Sequence, residues 1–138
     1  MNTAPKYGVS EQEYLAGELL SEIRHEYING EVYAMAGAHK DHNIIAGEVF
    51  RIVANLLQDK PCQPYASDMK VKVGNNFFYP DVMVDCSGQE QDYYTQYPTL
   101  IVEVLSKSTR QHDKTFKRQA YCQIASLKEY ILIEQDFV

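Results

Sequence analysis

The spacing of hydrophobic and polar residues in the first third of the chain predicts a helix followed by a β-hairpin. A capping-box pattern opens a short helix at residues 10–20. Two short apolar runs then flank Asn29-Gly30, the strongest short-range signal for a two-residue hairpin turn. We expect this part of the chain, residues 1–36, to form an extension outside the core.

The remaining residues, 37–138, show both helical and strand periods. Apolar residues at helical spacing predict a second helix at 42–57 and a third at 110–125. Runs of β-branched and aromatic residues predict strands at 62–73, 77–85, 99–106 and 128–135. A Gly-Asn-Asn turn joins the first two of these strands into a hairpin. The tyrosine-rich loop 86–98 is either a lid over a site or a simple connection.

Two carboxylates occupy strand positions that an apolar side chain would normally fill. Asp81 follows a proline inside an apolar run, and Glu103 has apolar residues on both sides. Ionised carboxylates are rarely buried without a partner, because removing them from water costs several kcal/mol. On neighbouring strands the two would repel each other unless a cation lay between them. A divalent metal is the simplest interpretation, and it points to chemistry on phosphate.

These and other polar residues also have simpler interpretations. Asp81 alone could be a turn residue beside an edge proline, and Glu103 could pair with a buried Lys or Arg. Glu48 lies in the apolar stripe of the second helix, where it is either an outward-facing edge residue or a third carboxylate of the same centre. His42, at the start of that helix, is more typical of a cap or surface histidine than of a metal ligand.

Composition and cysteine content narrow the class of protein. With 138 residues, 45% of them hydrophobic, we expect a single globular domain. No apolar run approaches the ~18 residues of a membrane span, and no basic and apolar leader opens the chain. Cys62, Cys86 and Cys122 are odd in number and scattered. We therefore expect reduced thiols, no zinc site and a cytoplasmic location.

The distribution of charge bears on possible partners. A net charge of −6 disfavours general, high-affinity binding of nucleic acid. Residues 107–118 nevertheless carry five basic side chains against one acid, Asp113. Such a patch could contact a phosphate backbone, although a charge run is more often a solvated helix face. Within it, Lys117 can lean toward the sheet, or it can form an ordinary helix pair with Asp113.

The order of elements, with acids on two successive strands, resembles the core of the PD-(D/E)XK, or restriction-endonuclease-like, superfamily. More narrowly, the chain resembles the Uma2 family of endonucleases. The matching residues are 26–31, His42, 79–82 and 101–109, followed by Asp113, Lys117, Tyr121 and 128–130. The resemblance implies an α+β (α/β) fold: an αβββαβ mixed sheet flanked by helices, with an N-terminal helix and hairpin. Family members tend to be longer, so we expect a chain that lacks further C-terminal strands.

The resemblance also implies roles for particular residues. Asp81, Glu103 and the backbone carbonyl of Val104 would hold Mg²⁺ or Mn²⁺, with Glu48 as a further candidate. The signature lysine would fall at Leu105, so we expect Lys117 to replace it; Lys70 and Lys107 are weaker candidates.

The function implied is metal-dependent cleavage of DNA, with no membrane partner and with a homodimer as one possible assembly. The alternative is a catalytically idle nuclease-fold module that binds nucleic acid or a protein partner. The sequence contains no feature that would distinguish DNA from RNA.

Overall fold

The computed structural model describes residues 8–37 and 39–136, without the side chain of Asp113, and in this part the chain forms two β-sheets. The strands are β1 (His25–Ile28), β2 (Glu31–Ala34), β3 (Gln63–Ala66), β4 (Lys70–Val73), β5 (Asn76–Phe78), β6 (Val82–Asp85), β7 (Tyr94–Thr95), β8 (Pro98–Leu105) and β9 (Glu129–Glu134). The five-stranded sheet has the order β2-β1-β5-β4-β7, and the four-stranded sheet has the order β3-β6-β8-β9. Strands β8 and β9 are parallel, whereas β6 is antiparallel to both β3 and β8.

The positions of the helices agree with the hydrophobic pattern, although no side chain of the second helix is fully buried and one helical segment is irregular. They are α1 (Glu11–Leu20), α2 (Lys40–Leu56), α3 (Arg110–His112) and α4 (Arg118–Tyr121), the last two joined by a π-helical segment (Asp113–Lys117). The predicted capping box is present at α1, where Ser10 Oγ accepts the Glu13 N–H at 3.1 Å and the Glu13 carboxylate accepts the Ser10 N–H. π-Helical turns are rare in proteins, and many of those that occur lie at functional sites.

The strands predicted at 62–73 and 77–85 are each broken in the middle. Their outer halves, β3 and β6, pair in the four-stranded sheet, and their inner halves, β4 and β5, pair in the five-stranded sheet. The second break contains Pro80, which has no N–H to donate to a strand ladder. The single predicted hairpin therefore runs through both sheets, and Asp81 lies at the break, directly before β6.

The N-terminal hairpin is joined to the rest of the fold. Asn29 and Gly30 have φ angles of 52° and 81°, as a turn with both central residues in the left-handed region requires, so the predicted hairpin is confirmed. Strand β1 pairs with β5 through Tyr27 and Phe77. Tyr14 of α1 stacks on Tyr27 with ring centroids 4.9 Å apart. The described part of this region, from residue 8 on, therefore packs against the five-stranded sheet.

A single buried cluster connects the two sheets and the C-terminal helix. Its members come from β4, β5, β6, β8, α4 and the turn after α4, and the largest of them are Phe78, Met83, Ile101 and Tyr121. The Tyr121 ring meets the Phe78 ring edge to face, with centroids 5.5 Å apart. This packing fixes α4, and with it the π-helical segment, against β8.

The loop after β6 is anchored to the sheet. Tyr94 and Thr95 form β7, which pairs with β4. The buried carboxylate of Asp85 accepts hydrogen bonds from Ser87 and Thr95. Of the two interpretations of residues 86–98, the structure favours a connection, because this loop does not line the cleft described below.

The expectation of three free thiols is wrong for two of the cysteines. Cys62 and Cys86 form a disulfide, and Cys122 is free and exposed. The two joined residues directly flank the paired positions Gln63 and Asp85 of β3 and β6, which brings them side by side. The prediction of a cytoplasmic location rested on free thiols, so the disulfide removes that argument. No helix among the described residues combines the length and apolar character that crossing a bilayer requires.

Candidate active site

A cleft of about 360 Å³ lies where the N-terminal hairpin, the start of α2 and the ends of β6 and β8 meet. It is lined by three carboxylates, Glu26, Asp81 and Glu103, and by Lys117. The structure thus brings Asp81, Glu103, Val104 and Lys117 to one cleft, as the sequence predicted. Glu26 was not among the predicted site residues.

Asp81 is oriented by the end of a strand ladder. The pairing of β6 with β8 begins at Val82, which lies opposite Val102. Val104 lies beyond that point on β8, so β6 provides no backbone carbonyl to accept its N–H. Asp81 Oδ2 accepts that N–H at 2.7 Å, and it also lies 3.2 Å from His42 Nε2. Within the described structure both contacts fall on Oδ2, so Oδ1 is the oxygen available to a ligand in the cleft.

Glu103 lies on β8 and is only 3% exposed. The Tyr121 hydroxyl donates to its Oε1 at 3.3 Å, and Lys117 Nζ lies 3.8 Å from its Oε2. A buried carboxylate requires such partners, since desolvation without them is costly. The predicted alternative, a buried lysine beside Glu103, is therefore present, and that lysine also lines the cleft.

Lys117 ends the π-helical segment and is 5% exposed. Its Nζ lies 3.1 Å from Glu26 Oε2, closer than to Glu103. The other two candidate lysines do not line the cleft: Lys107 is exposed in a turn, and Lys70 is buried between the rings of Tyr79 and Tyr93. A pair between Lys117 and the Asp113 side chain lies outside the described residues.

Glu26 is the site residue that the sequence analysis missed. It is 8% exposed on β1, and its Oε1 lies 3.9 Å from His112 Nε2. In a strand, side chains alternate between faces, so Glu26 shares a face with the apolar Ile28. An acid that shares a strand face with an apolar residue is a weaker signal than the apolar runs around Asp81 and Glu103, because Glu26 follows the polar Arg24 and His25.

Tyr79 links α1 to the cleft. Its hydroxyl donates to Glu18 Oε2 at 2.6 Å, and its backbone N–H points to Glu26 Oε2 at 3.5 Å. Burial, and then the hydrogen bond to Glu18, raise the pKa of Tyr79 well above its usual range. The phenol therefore remains protonated and continues to donate its hydrogen bond to Glu18. This bond fixes Tyr79, which lies two positions before Asp81.

The structure also bears on Glu48 and on the basic patch at 107–118. Glu48 is not a third carboxylate of the site, because its exposed side chain pairs with Arg51 at 2.7 Å and does not line the cleft. The basic patch at 107–118 is partly neutralised, since Arg110 donates two hydrogen bonds of 2.8 Å to Glu134. This pairing raises the pKa of Arg110 and lowers that of Glu134.

The oxygen donors of the cleft fit a hard divalent cation. Carboxylates of Asp81 and Glu103 and a backbone carbonyl are ligands that Mg²⁺ prefers. Among the described residues, no three His, Cys, Asp or Glu side chains are grouped as a metal cluster. Mg²⁺ usually keeps several waters and binds through one or two carboxylates plus substrate phosphates, so a site with two carboxylates agrees with its chemistry.

Comparison with solved structures identifies the class of fold. The chain resembles a crystal structure from Anabaena variabilis described as a putative nuclease belonging to DUF820, with a TM-score of 0.74 and 19% identity. The match covers 91% of this chain and 74% of that one. The protein therefore has an α+β nuclease-like fold, which confirms the predicted fold class.

Comparison with family models and curated proteins identifies the family. Residues 11–136 match the model of Uma2, described as "Putative restriction endonuclease", and the chain belongs to this family. Two relatives from Synechocystis sp. are described as uncharacterized. Slr1290 is 34% identical over 99% of this chain and 74% of its own length, and sll1609 is 35% identical over 89% and 73%. Family and fold together indicate a restriction-endonuclease-like nuclease.

Proposed function

We propose that the chain is a metal-dependent phosphodiesterase that cuts DNA as an endonuclease. The observation that carries this proposal is the meeting of Asp81, Glu103 and Lys117 in one cleft. Asp81 Oδ1, the Glu103 carboxylate and the Val104 carbonyl would hold Mg²⁺ or Mn²⁺. When bound, such an ion supplies an acidified water and neutralises charge on the phosphoryl oxygens.

The side chains of the cleft have separate tasks in this proposal. Lys117 orients the attacking water or stabilises the developing charge through its N–H donors. Glu26, on β1, fixes the position of Lys117 through an ion pair of 3.1 Å. His42 and the Val104 N–H hold Asp81 by one oxygen, so that the other faces the cleft.

Nicking of supercoiled plasmid in the presence of Mg²⁺ or Mn²⁺ tests the proposal. The wild-type protein should nick DNA, and Asp81→Asn, Glu103→Gln and Lys117→Met should each lose roughly 100-fold or more in rate. Glu48→Gln is the matched control, because it removes an exposed carboxylate outside the cleft. Its rate should equal that of wild type.

Two results would contradict the proposal. Undiminished cleavage by pure Asp81→Asn protein would assign the activity to another site or to a contaminant. Failure of folded wild-type protein to cut DNA with any divalent ion, while it still binds DNA or a partner, would favour the idle module.

The products also report on assembly, since a homodimer would present two clefts to a duplex and would give linear DNA early in the reaction.

A further inference from the structure

Arg24 lies directly before β1 and lines the same cleft as Asp81. Its Nη1 donates to the Ser67 carbonyl at 2.9 Å and to the Ser67 hydroxyl at 2.8 Å. Its guanidinium carbon lies 5.7 Å from the centre of the Tyr79 ring, within the range of a cation–π contact. These contacts hold the head group in place.

The guanidinium is held on one side only. Nη1 also lies 3.4 Å from Asp68 Oδ1, but the Asp68 side chain is 96% exposed. This ion pair therefore contributes little to holding the guanidinium. A guanidinium has five N–H donors in a planar fork. Within the described structure, the hydrogen bonds and the ion pair of the Arg24 side chain all involve Nη1, which leaves the donors of Nε and Nη2 available.

Arg24 also differs from the other strong cation of the cleft. Lys117 is already held by Glu26 and Glu103. The contacts of Arg24 are instead with Ser67, Tyr79 and the solvent-exposed Asp68. A cleft with three carboxylates repels a polyanion, so a guanidinium that no carboxylate of the cleft neutralises would favour the approach of a phosphate.

We infer that Arg24 binds a backbone phosphate of the nucleic-acid substrate through its Nε and Nη2 donors. The inference rests on the proposed function and assigns to Arg24 a role in substrate binding rather than in metal binding. The planar fork of a guanidinium matches two phosphate oxygens, and this two-point contact is stronger and more directional than that of a lysine.

Fluorescence anisotropy with a short labelled DNA duplex tests the inference, with Ca²⁺ in place of Mg²⁺ so that the DNA stays intact. Arg24→Gln should raise Kd roughly tenfold and reduce the slope of log K against log salt by about one. Arg24→Lys should fall between wild type and Arg24→Gln, because it keeps the charge and loses the fork. In cleavage assays KM should rise while kcat is unchanged.

Arg51→Gln is the matched control, since it removes the same charge from an exposed site on α2 outside the cleft. Wild-type affinity and salt slope in Arg24→Gln would overturn the assignment and leave the proposed function standing. If thermal melting shows that Arg24→Gln is unfolded, Arg24→Lys decides, and wild-type affinity in that variant overturns the assignment. Absence of both binding and cleavage in wild type would instead overturn the proposed function, and this inference with it.

Discussion

Lys117 Nζ lies 3.1 Å from Glu26 Oε2, so a carboxylate of the N-terminal hairpin holds a lysine of the C-terminal helical region. Both side chains are buried, and the lysine faces Glu103 on its other side. The hairpin is therefore a wall of the candidate active site. Its loss should remove an ionic partner of Lys117 as well as structural support.

Glu26→Gln should lower the free energy of unfolding by roughly 1–3 kcal/mol, because Lys117 keeps its charge and loses its nearer carboxylate. The double variant Glu26→Gln/Lys117→Met should be less destabilised than the sum of the two single variants, since both remove one shared interaction. Urea unfolding of wild type and the three variants measures this coupling. Strictly additive effects would show that the pair does not contribute to stability.

His42 should act by orienting Asp81, to which it lies at 3.2 Å. Partners that orient a metal ligand typically change metal affinity by 10–100-fold, so His42→Ala should sharply reduce the rise in Tm that Mn²⁺ produces. His42→Gln retains an N–H donor and should recover part of that rise. Equal Mn²⁺-induced shifts in wild type and His42→Ala would contradict this role.

The disulfide between Cys62 and Cys86, which are 24 residues apart, should stabilise the domain by up to about 3.5 kcal/mol through loop closure. Urea unfolding with and without dithiothreitol should show this loss, and the variant Cys62→Ser/Cys86→Ser should not respond to the reductant. Thiol titration in denaturant gives an independent check. One reactive thiol, from Cys122, is expected before reduction, whereas three would mean that the bridge is absent.

Lys70 should make stability depend on pH. Burial lowers the pKa of Lys70, with the charge of Glu18 opposing the shift. The unfolded chain therefore binds more protons between the folded-state pKa and the ordinary value of 10.5, and stability rises with pH there. Lys70→Met should raise Tm at neutral pH, and this gain should shrink toward pH 10.5.

The exposed Lys60 provides the control for this experiment. Lys60→Met should leave Tm almost unchanged at every pH, because its side chain is in water in both states. A gain in Lys70→Met that does not vary with pH would show that the effect comes from packing rather than from the cost of burying the charge.

Asp81 and Glu103 were predictable because each acid interrupts a run of apolar residues, which is a local signal. The helices and the Asn29-Gly30 turn were predictable for the same reason, since caps, helical periods and turn residues act within a few positions. The break at Pro80 was also visible in the sequence, as a residue without an N–H donor. The consequence of that break, a hairpin divided between two sheets, was not visible in the sequence.

The features that the sequence did not reveal depend on contacts between distant segments. Glu26 and Lys117 meet only because β1 pairs with β5 and α4 packs against the same core. Cys62 and Cys86 become neighbours through the register of β3 and β6, which the apolar pattern does not specify. The position of Glu48 was ambiguous because it lies at the edge of the apolar stripe. In the structure its side chain is exposed and pairs with Arg51, one turn later on the helix.

Calorimetric titration of the apo-protein with Mn²⁺ tests most directly whether Asp81 and Glu103 form one cation site. Wild type and the control Glu48→Gln should bind Mn²⁺ with the same affinity, whereas Asp81→Asn and Glu103→Gln should each bind at least about tenfold more weakly. Equal binding by all four proteins, or no binding by folded wild type, would contradict the account.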